Sequence, residues 1–212
     1  MMPGKKVSEK TIRRLSHYAR CLRRARADGI PIVTSKHLSE RCGISSAAVR
    51  KDLAVFGEFG KQGSGYGVSD LLENIERILG TCAPPAVIVI GAGNIGSALL
   101  ESGLAGTGGY SYLAIFDNDP DVIGKTIAGV TVQPVDELRE VISEHGDVIA
   151  ILAVPPGEGQ NAVNNLVSTG CISILSFTLE PLDIPDGVVL RYVEVSTELD
   201  ILTHSMKCRD LL

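Results

Sequence analysis

The spacing of apolar residues changes character about eighty residues into the chain. Before that point Ile12, Leu15, Ala19 and Leu22 stand at i, i+3, i+7 and i+10, which predicts one amphipathic helix over 9–27. Its other faces carry Arg13, Arg14, Arg20, Arg23, Arg24 and Arg26. Asp28-Gly29 stops it, Ile30 to Val33 reads as a short extended link, and a second helix is predicted from Ser35 to Cys42 around Leu38. Gly43 supplies a tight turn, and a third helix follows from Ser45, a good N-cap, to about Phe56. At about 100° per residue Val49, Leu53 and Phe56 share one face of this helix. Ala47, Arg50, Lys51 and Ala54 share the opposite one.

Helix, glycine turn, helix with an apolar back and a small, cationic front is a unit that can enter a major groove. Small residues permit close approach, and Arg and Lys reach phosphates or guanine edges. The expected DNA-facing residues are therefore Ser45, Ser46, Ala47, Arg50 and Lys51. The next stretch, Phe59 to Val68, has four glycines in the eight residues 60–67 and cannot hold a helix, since each glycine costs about 1 kcal/mol against alanine. It is predicted to be a tight hairpin, a wing bringing Lys61, Gly65 and Tyr66 to the nucleic acid. A fourth helix, Val68 to Leu79, packs back through Leu71, Leu72, Ile75 and Leu79.

Thr81-Cys82-Ala83-Pro84-Pro85 breaks the pattern, because consecutive prolines cannot continue a helix. Beyond it, β-branched runs alternate with helical ones. Ala86 to Ile90 is a buried strand that enters Gly91-Ala92-Gly93-Asn94-Ile95-Gly96, and a helix follows at once. A second strand, Tyr112 to Phe116, ends in Asp117, 21 residues after Gly96. Strands at 130–132, 148–154, 172–175 and 188–195 and helices at 136–145, 159–168 and 197–212 complete an α/β series. A lone GxGxxG is weak evidence; set between strand and helix, with an acid at the next strand end, it marks a dinucleotide site. Gly91 permits the turn, Gly93 admits the pyrophosphate, and Gly96 lets helix and strand pack closely. Asp117 would accept from the adenosine ribose, and with Asn118 and Asp119 following and no Arg nearby, NAD(H) is favoured over its 2′-phosphorylated relative. Because ligands lie at strand C-terminal ends, Val154, Pro155, Phe177 and Thr178 are the expected nicotinamide contacts.

Charge divides the chain at the same place. Residues 1–80 hold 15 Lys/Arg against 8 Asp/Glu, while residues 81–212 hold 5 against 17, so a net charge of −5 conceals a basic head and an acidic body. That asymmetry favours a polyanion partner for the head. No apolar run approaches the roughly 18 residues that span a bilayer, and Met1 to Lys6 has no hydrophobic stretch behind it; a cytoplasmic protein without signal peptide is expected. Cys21, Cys42, Cys82, Cys171 and Cys208 show no Cys-x-x-Cys spacing, which argues against a metal site. They read as small partly buried residues in a reducing compartment, with a thiol switch as the alternative.

Function then divides between a sensor and an enzyme. After the linker the sheet uses most of the residues, leaving no second lobe for a substrate. His145 and His204 fall on helices, away from the strand ends where a general acid belongs. A domain that binds cofactor without catalytic residues is a sensor; the rival is a small NAD-dependent oxidoreductase whose basic head mediates assembly.

Val49 to Lys61 with Gly65-Tyr66, Gly91 to Gly96, Phe116-Asp117 and Val154-Pro155 together resemble the Rex family of redox-sensing transcriptional repressors, over nearly the whole chain. The resemblance implies a winged helix-turn-helix over 1–80, a Rossmann NAD(H)-binding domain over 85–195, and a closing helix over 196–212 that dimerises by swapping. It implies a homodimer that binds an A/T-rich inverted repeat of double-stranded DNA and is released by NADH. Many members also link an Arg of the first helix, a Tyr after the glycine-loop helix and an Asp before the last helix. Arg20 matches, whereas Ser102 and Glu194 stand at the other two places, and Ser176-Phe177 replaces Asn-Phe. Two expectations therefore stay open: an NADH-responsive repressor, or a Rex-like paralogue that represses with weak or no NADH sensing.

Overall fold

The structure, a computed structural model, describes residues 7–56, 65–103 and 109–209. Contacts between residues divide the chain into two compact units, Met1–Pro84 and Pro85–Leu212.

In the first unit α1 spans Glu9–Ala27, with the Ser8 hydroxyl accepting from the Thr11 N–H. It buries Leu15, Tyr18, Ala19, Leu22 and Ala25, the continuation of the stripe that predicts it. After β1 (Ile32–Val33), α2 runs Ser35–Cys42, capped by Thr34 and ended by Gly43 at φ +65°, a left-handed conformation that a side chain would strain. Helix α3 covers Ser46–Phe56, and the Ser45 hydroxyl accepts from the Ala48 N–H at 3.3 Å, so Ser45 is its cap. Strand β2, Tyr66–Gly67, leads directly into α4, Val68–Leu79. Val33, Leu38, Val49, Leu53, Leu71, Leu72 and Ile75 join the α1 residues in one core.

Lys61 and most of the predicted hairpin lie outside the described residues. Among the residues that are described, β2 pairs antiparallel with β1, Val33 opposite Tyr66, and the half-buried Tyr66 packs on the core. Gly65 sits at φ +80°, where a Cβ would meet the Val33 carbonyl oxygen at 2.8 Å. Close approach of two backbones therefore accounts for this glycine.

The second unit is a seven-stranded sheet in the order β5-β6-β4-β3-β7-β8-β9. Its strands are β3 (Ala86–Ile90), β4 (Tyr112–Asp117), β5 (Thr126–Ile127), β6 (Val130–Pro134), β7 (Val148–Leu152), β8 (Ser173–Ser176) and β9 (Val189–Tyr192). All neighbours are parallel except the β5–β6 hairpin, which the sequence pattern does not reveal. Counting from β3, the parallel order is the doubly wound 3-2-1-4-5-6, which reverses between β3 and β7. The helices are α5 (Asn94–Glu101), α6 (Leu138–His145), α7 (Gly159–Ser168) and α8 (Val195–Arg209). A single 3₁₀ turn, Val135–Glu137, takes the place of the first predicted turn of α6. One sheet face is covered by Leu138, Ile142, Val163 and Leu166, the other by Leu100 and its neighbours. Continuous burial of Val87 to Ile90 is what a strand covered on both faces requires.

Candidate functional site

At the switch between β3 and β7 the strand ends open into a cleft of 1120 Å³. Gly91 turns the chain out of β3 at φ +100°, and a Cβ there would meet the Ala153 carbonyl oxygen at 2.5 Å. A Cβ on Gly96 would overlap the Gly91 carbonyl oxygen and lie 3.3 Å from Val89 Cγ1. Gly93 is different: a Cβ there would meet nothing within 4 Å, so it faces open space at the start of α5. The three glycines thus divide into two required by protein packing and one that leaves room for a ligand beside the helix N-terminus.

Asp117, at the end of β4, lines the same cleft. Its Oδ2 accepts from the Ala92 N–H at 2.6 Å and its Oδ1 from the Asp119 N–H at 2.9 Å. The carboxylate is therefore fixed by main chain, with lone pairs left over for hydroxyl donors. The spacing of Asp117 from the glycines shows its place but not this bond. Asp119, Asp136 and Glu158 also line the cleft, and no Lys or Arg does so among the described residues. Among the described residues, phosphate charge in such a place meets main-chain N–H groups, the helix dipole and amide side chains such as Asn94 rather than cations.

Across the cleft lie Val154 and Pro155 after β7 and Phe177 and Thr178 after β8. Ser176, fully buried, donates its hydroxyl to the Thr178 carbonyl at 2.9 Å and accepts from the Thr178 N–H at 3.2 Å. The Thr178 residue is 5% exposed, yet among the described residues its own hydroxyl has no partner. A buried hydroxyl without a partner costs about 1–3 kcal/mol, so its place on a cleft wall points to a ligand that supplies one. Of the twelve residues expected to hold cofactor, all line this cleft except Gly96, which lies beneath the turn. The loop after β8 is tied down by Glu180, whose two carboxylate oxygens accept from the Gly157 and Gly159 N–H groups at 2.8 Å each. His145 and His204 do not line the cleft.

In the first unit Ala47, Arg50, Lys51 and Ala54 are exposed together on α3, while Val49 and Leu53 are buried and Phe56 half-buried. Arg50 Nη1 donates to Ser35 Oγ at 3.2 Å. Ser45 is engaged as the cap, and Ser46 opens the helix half-buried. Several of the other cations serve the fold. Arg14 donates to both oxygens of Asp52, at 2.5 and 2.6 Å, and the buried Tyr18 hydroxyl donates to Asp52 at 3.0 Å. Arg23 pairs with Glu76 at 2.8 Å. Burial alone would raise the Asp52 carboxyl, but Arg14 and Tyr18 outweigh it and hold its pKa below the ordinary value. Burial, then the Asp52 charge, pushes the Tyr18 phenol up. Sequence periodicity carried a clue to this cluster: Asp52 stands beside Leu53 on the apolar side of α3, where a carboxylate needs a partner.

The three residues expected to couple sensing to DNA are each engaged locally. Arg20 Nη2 lies 3.0 Å from His17 Nδ1. Ser102 closes α5 by donating to the Leu99 carbonyl at 2.9 Å. Glu194 accepts from the Thr197 hydroxyl at 2.7 Å, just before α8.

Residues 6–54 match the family model described as a putative DNA-binding protein N-terminus, and residues 84–180 match that of a CoA binding domain. The chain is 42% identical over 209 residues to the redox-sensing transcriptional repressor Rex of Desulforamulus reducens, covering 99% of this chain and all of the relative. The crystal structure of RSP in complex with β-NAD+ and operator DNA matches at a TM-score of 0.86 and 33% identity, over 98% of this chain and 96% of that one. RSP in complex with β-NADH matches at 0.83 and 31%, over 98% of each.

Proposed function

Because the chain belongs to the Rex family of redox-sensing transcriptional repressors, we propose that it binds operator DNA through its helix-turn-helix and releases it when NADH takes the cleft. The observation that carries this reading is one chain bearing both a switch-point cleft with an unpartnered Thr178 hydroxyl and an exposed Ala-Arg-Lys-Ala helix face. In it the N–H groups around Gly93 at the start of α5 hold the pyrophosphate, and Asp117 takes the ribose hydroxyls. The acids around Asp117 disfavour a 2′-phosphate, so the cofactor is NAD(H). Val154, Pro155 and Phe177 wall the nicotinamide end, and Thr178 offers its hydroxyl there. The bound nicotinamide supplies a ring that is cationic when oxidised and neutral when reduced, the difference a sensor reads.

Ala47, Arg50 and Lys51 are the base- and phosphate-facing positions, with Ser45 and Ser46 at the helix start and Lys61, Gly65 and Tyr66 in the wing segment. Helix α8 presents Val195, Leu199, Leu202 and Met206, at i, i+4, i+7 and i+11, each more than half exposed. That unpartnered apolar face supports a homodimer built on 196–212, whose twofold symmetry suits an inverted repeat. Repressors act where the DNA is, hence in the cytoplasm, and among the described residues no helix is long and apolar enough to cross a membrane.

Ser102 and Glu194 support a second reading. Both spend hydrogen bonds within their own helix ends, so a paralogue with weak NADH response competes with the full sensor. Fluorescence anisotropy of a labelled A/T-rich inverted-repeat duplex separates the two when protein is titrated alone, with NAD+ and with NADH. Release by NADH and not by NAD+ is expected. Binding indifferent to both dinucleotides establishes the second reading, and no specific binding overturns the repressor.

A further inference from the structure

Two cysteines 21 positions apart meet inside the first unit. Cys21 lies in the middle of α1, and Cys42 is the last residue of α2. Their sulfurs are 2.8 Å apart, and both residues are half-buried. Gly43 then makes the turn into α3, so Cys42 stands immediately before the joint that aims the helix carrying Arg50 and Lys51. Cys82 is exposed, and Cys171 is buried with its sulfur against the Val148 and Ser173 carbonyls. Metal binding does not account for the pair: no cluster of three or more His, Cys, Asp or Glu side chains suited to a metal occurs among the described residues.

We propose that Cys21 and Cys42 form a reversible disulfide under hydrogen peroxide, a thiol input to the DNA-binding unit that is separate from the dinucleotide cleft. The proposal that DNA affinity responds rests on the repressor reading above; the disulfide itself does not. Burial and its hydrogen bond to Cys21 push the Cys42 thiol up to about 12, against the opposing pull of Arg20 and Arg41. Either half-buried sulfur can meet the oxidant first, and the balance is the same for both. With Cys21 first, its thiolate attacks one peroxide oxygen, the O–O bond breaks, and the leaving hydroxide takes up the proton that Cys21 gave, forming water and a sulfenic acid. The Cys42 sulfur then attacks the Cys21 sulfur. The S–S bond forms, the S–O bond breaks, and the Cys42 proton leaves with the oxygen as a second water. Two thiols and one peroxide give one disulfide and two waters, the sulfurs losing two electrons in all.

Closing from 2.8 Å to the roughly 2.05 Å of a disulfide draws the end of α2 toward α1. Helix α3 follows, because only Gly43, Ile44 and Ser45 separate it from Cys42. Base reading is sensitive to such a shift, and operator affinity is expected to fall about tenfold, as loss of one good contact does.

The test treats the full-length protein with hydrogen peroxide, maps tryptic peptides without reduction, and measures operator anisotropy before oxidation, after it, and after a dithiol. A Cys21–Cys42 linked peptide, weaker operator binding and recovery of both with dithiol are expected. Cys82→Ser should behave like the parent, whereas Cys42→Ala and Cys42→Ser should leave Cys21 to run on to the sulfinic acid. Two substitutions guard against one that merely misfolds. Absence of the linked peptide, a disulfide through Cys82 instead, or an affinity unchanged by oxidation overturns the proposal. A reduced protein that binds no operator counts against the repressor reading instead, because the peptide map reads the disulfide without DNA.

Discussion

Asp52 occupies the one position on α3 where an apolar residue would fit the helix pattern and a carboxylate fits the tertiary structure. Its two oxygens take Arg14 and Tyr18, so replacing it with asparagine leaves a partly buried guanidinium without its charge partner. Asp52→Asn should cost about 3 kcal/mol in urea unfolding followed by circular dichroism. A cost under about 1 kcal/mol would show the cluster to be ornamental. The pH dependence follows from the lowered pKa. Its stabilisation is complete above the ordinary carboxylate value of about 3.9 and is lost as pH falls from there through the folded value. The parent should therefore lose stability with acid in that window, and the asparagine variant should lose less. Asp117 carries a second prediction. Asp117→Ala removes the ribose acceptor and also the bond that holds Ala92, so NADH affinity should fall by about 1–3 kcal/mol in calorimetry. An unchanged affinity removes Asp117 from the site.

At the scale of elements, α3 and the glycine turn show how far periodicity reaches. Apolar spacing alone places Val49 and Leu53 inward and Arg50 and Lys51 outward, because a helix fixes which residues share a face. Paired Arg50→Ala and Lys51→Ala should therefore abolish specific operator binding, at about 1–3 kcal/mol for each lost contact, while NADH binding stays intact. DNA binding that survives the double change removes α3 from the interface. The same periodicity says little about Arg14, Arg23 or Arg13, which look alike on α1. Arg14 and Arg23 are spent on Asp52 and Glu76 from other helices, and Arg13 on Glu9 within α1. Pairing leaves the net surplus of the basic head unchanged, but fewer cations than the sequence counts are left unpaired for a polyanion. Strand β5 was the least legible, being two residues long with little pattern to read, whereas β9 falls within the strand read over 188–195.

For the whole molecule the decisive feature is α8, whose apolar residues find no cover among the described residues. A helix this exposed gains its stability from a partner surface, and burying each leucine is worth about 1.5–3 kcal/mol. Leu199→Asp combined with Leu202→Asp should convert a dimer to a monomer by light scattering on a sizing column, and operator affinity should fall with it. A variant that stays dimeric relocates the interface away from α8. Sequence by itself determined the alternation that gives the doubly wound sheet, the glycines that turn β3 into α5, the acid at the end of β4, and the helix-turn-helix with its outward cations. These are local: hydrogen bonding within one element and the period of its side chains decide them. Only the tertiary structure decided that Gly65 serves a strand pairing, that Asp52 gathers Arg14 and Tyr18, and that Asp117 is held by the loop it faces. It alone put Thr178 on a cleft wall without a partner and brought Cys21 against Cys42. Those facts join residues far apart in the chain, and no local periodicity records which distant groups a fold will bring within a hydrogen bond of each other.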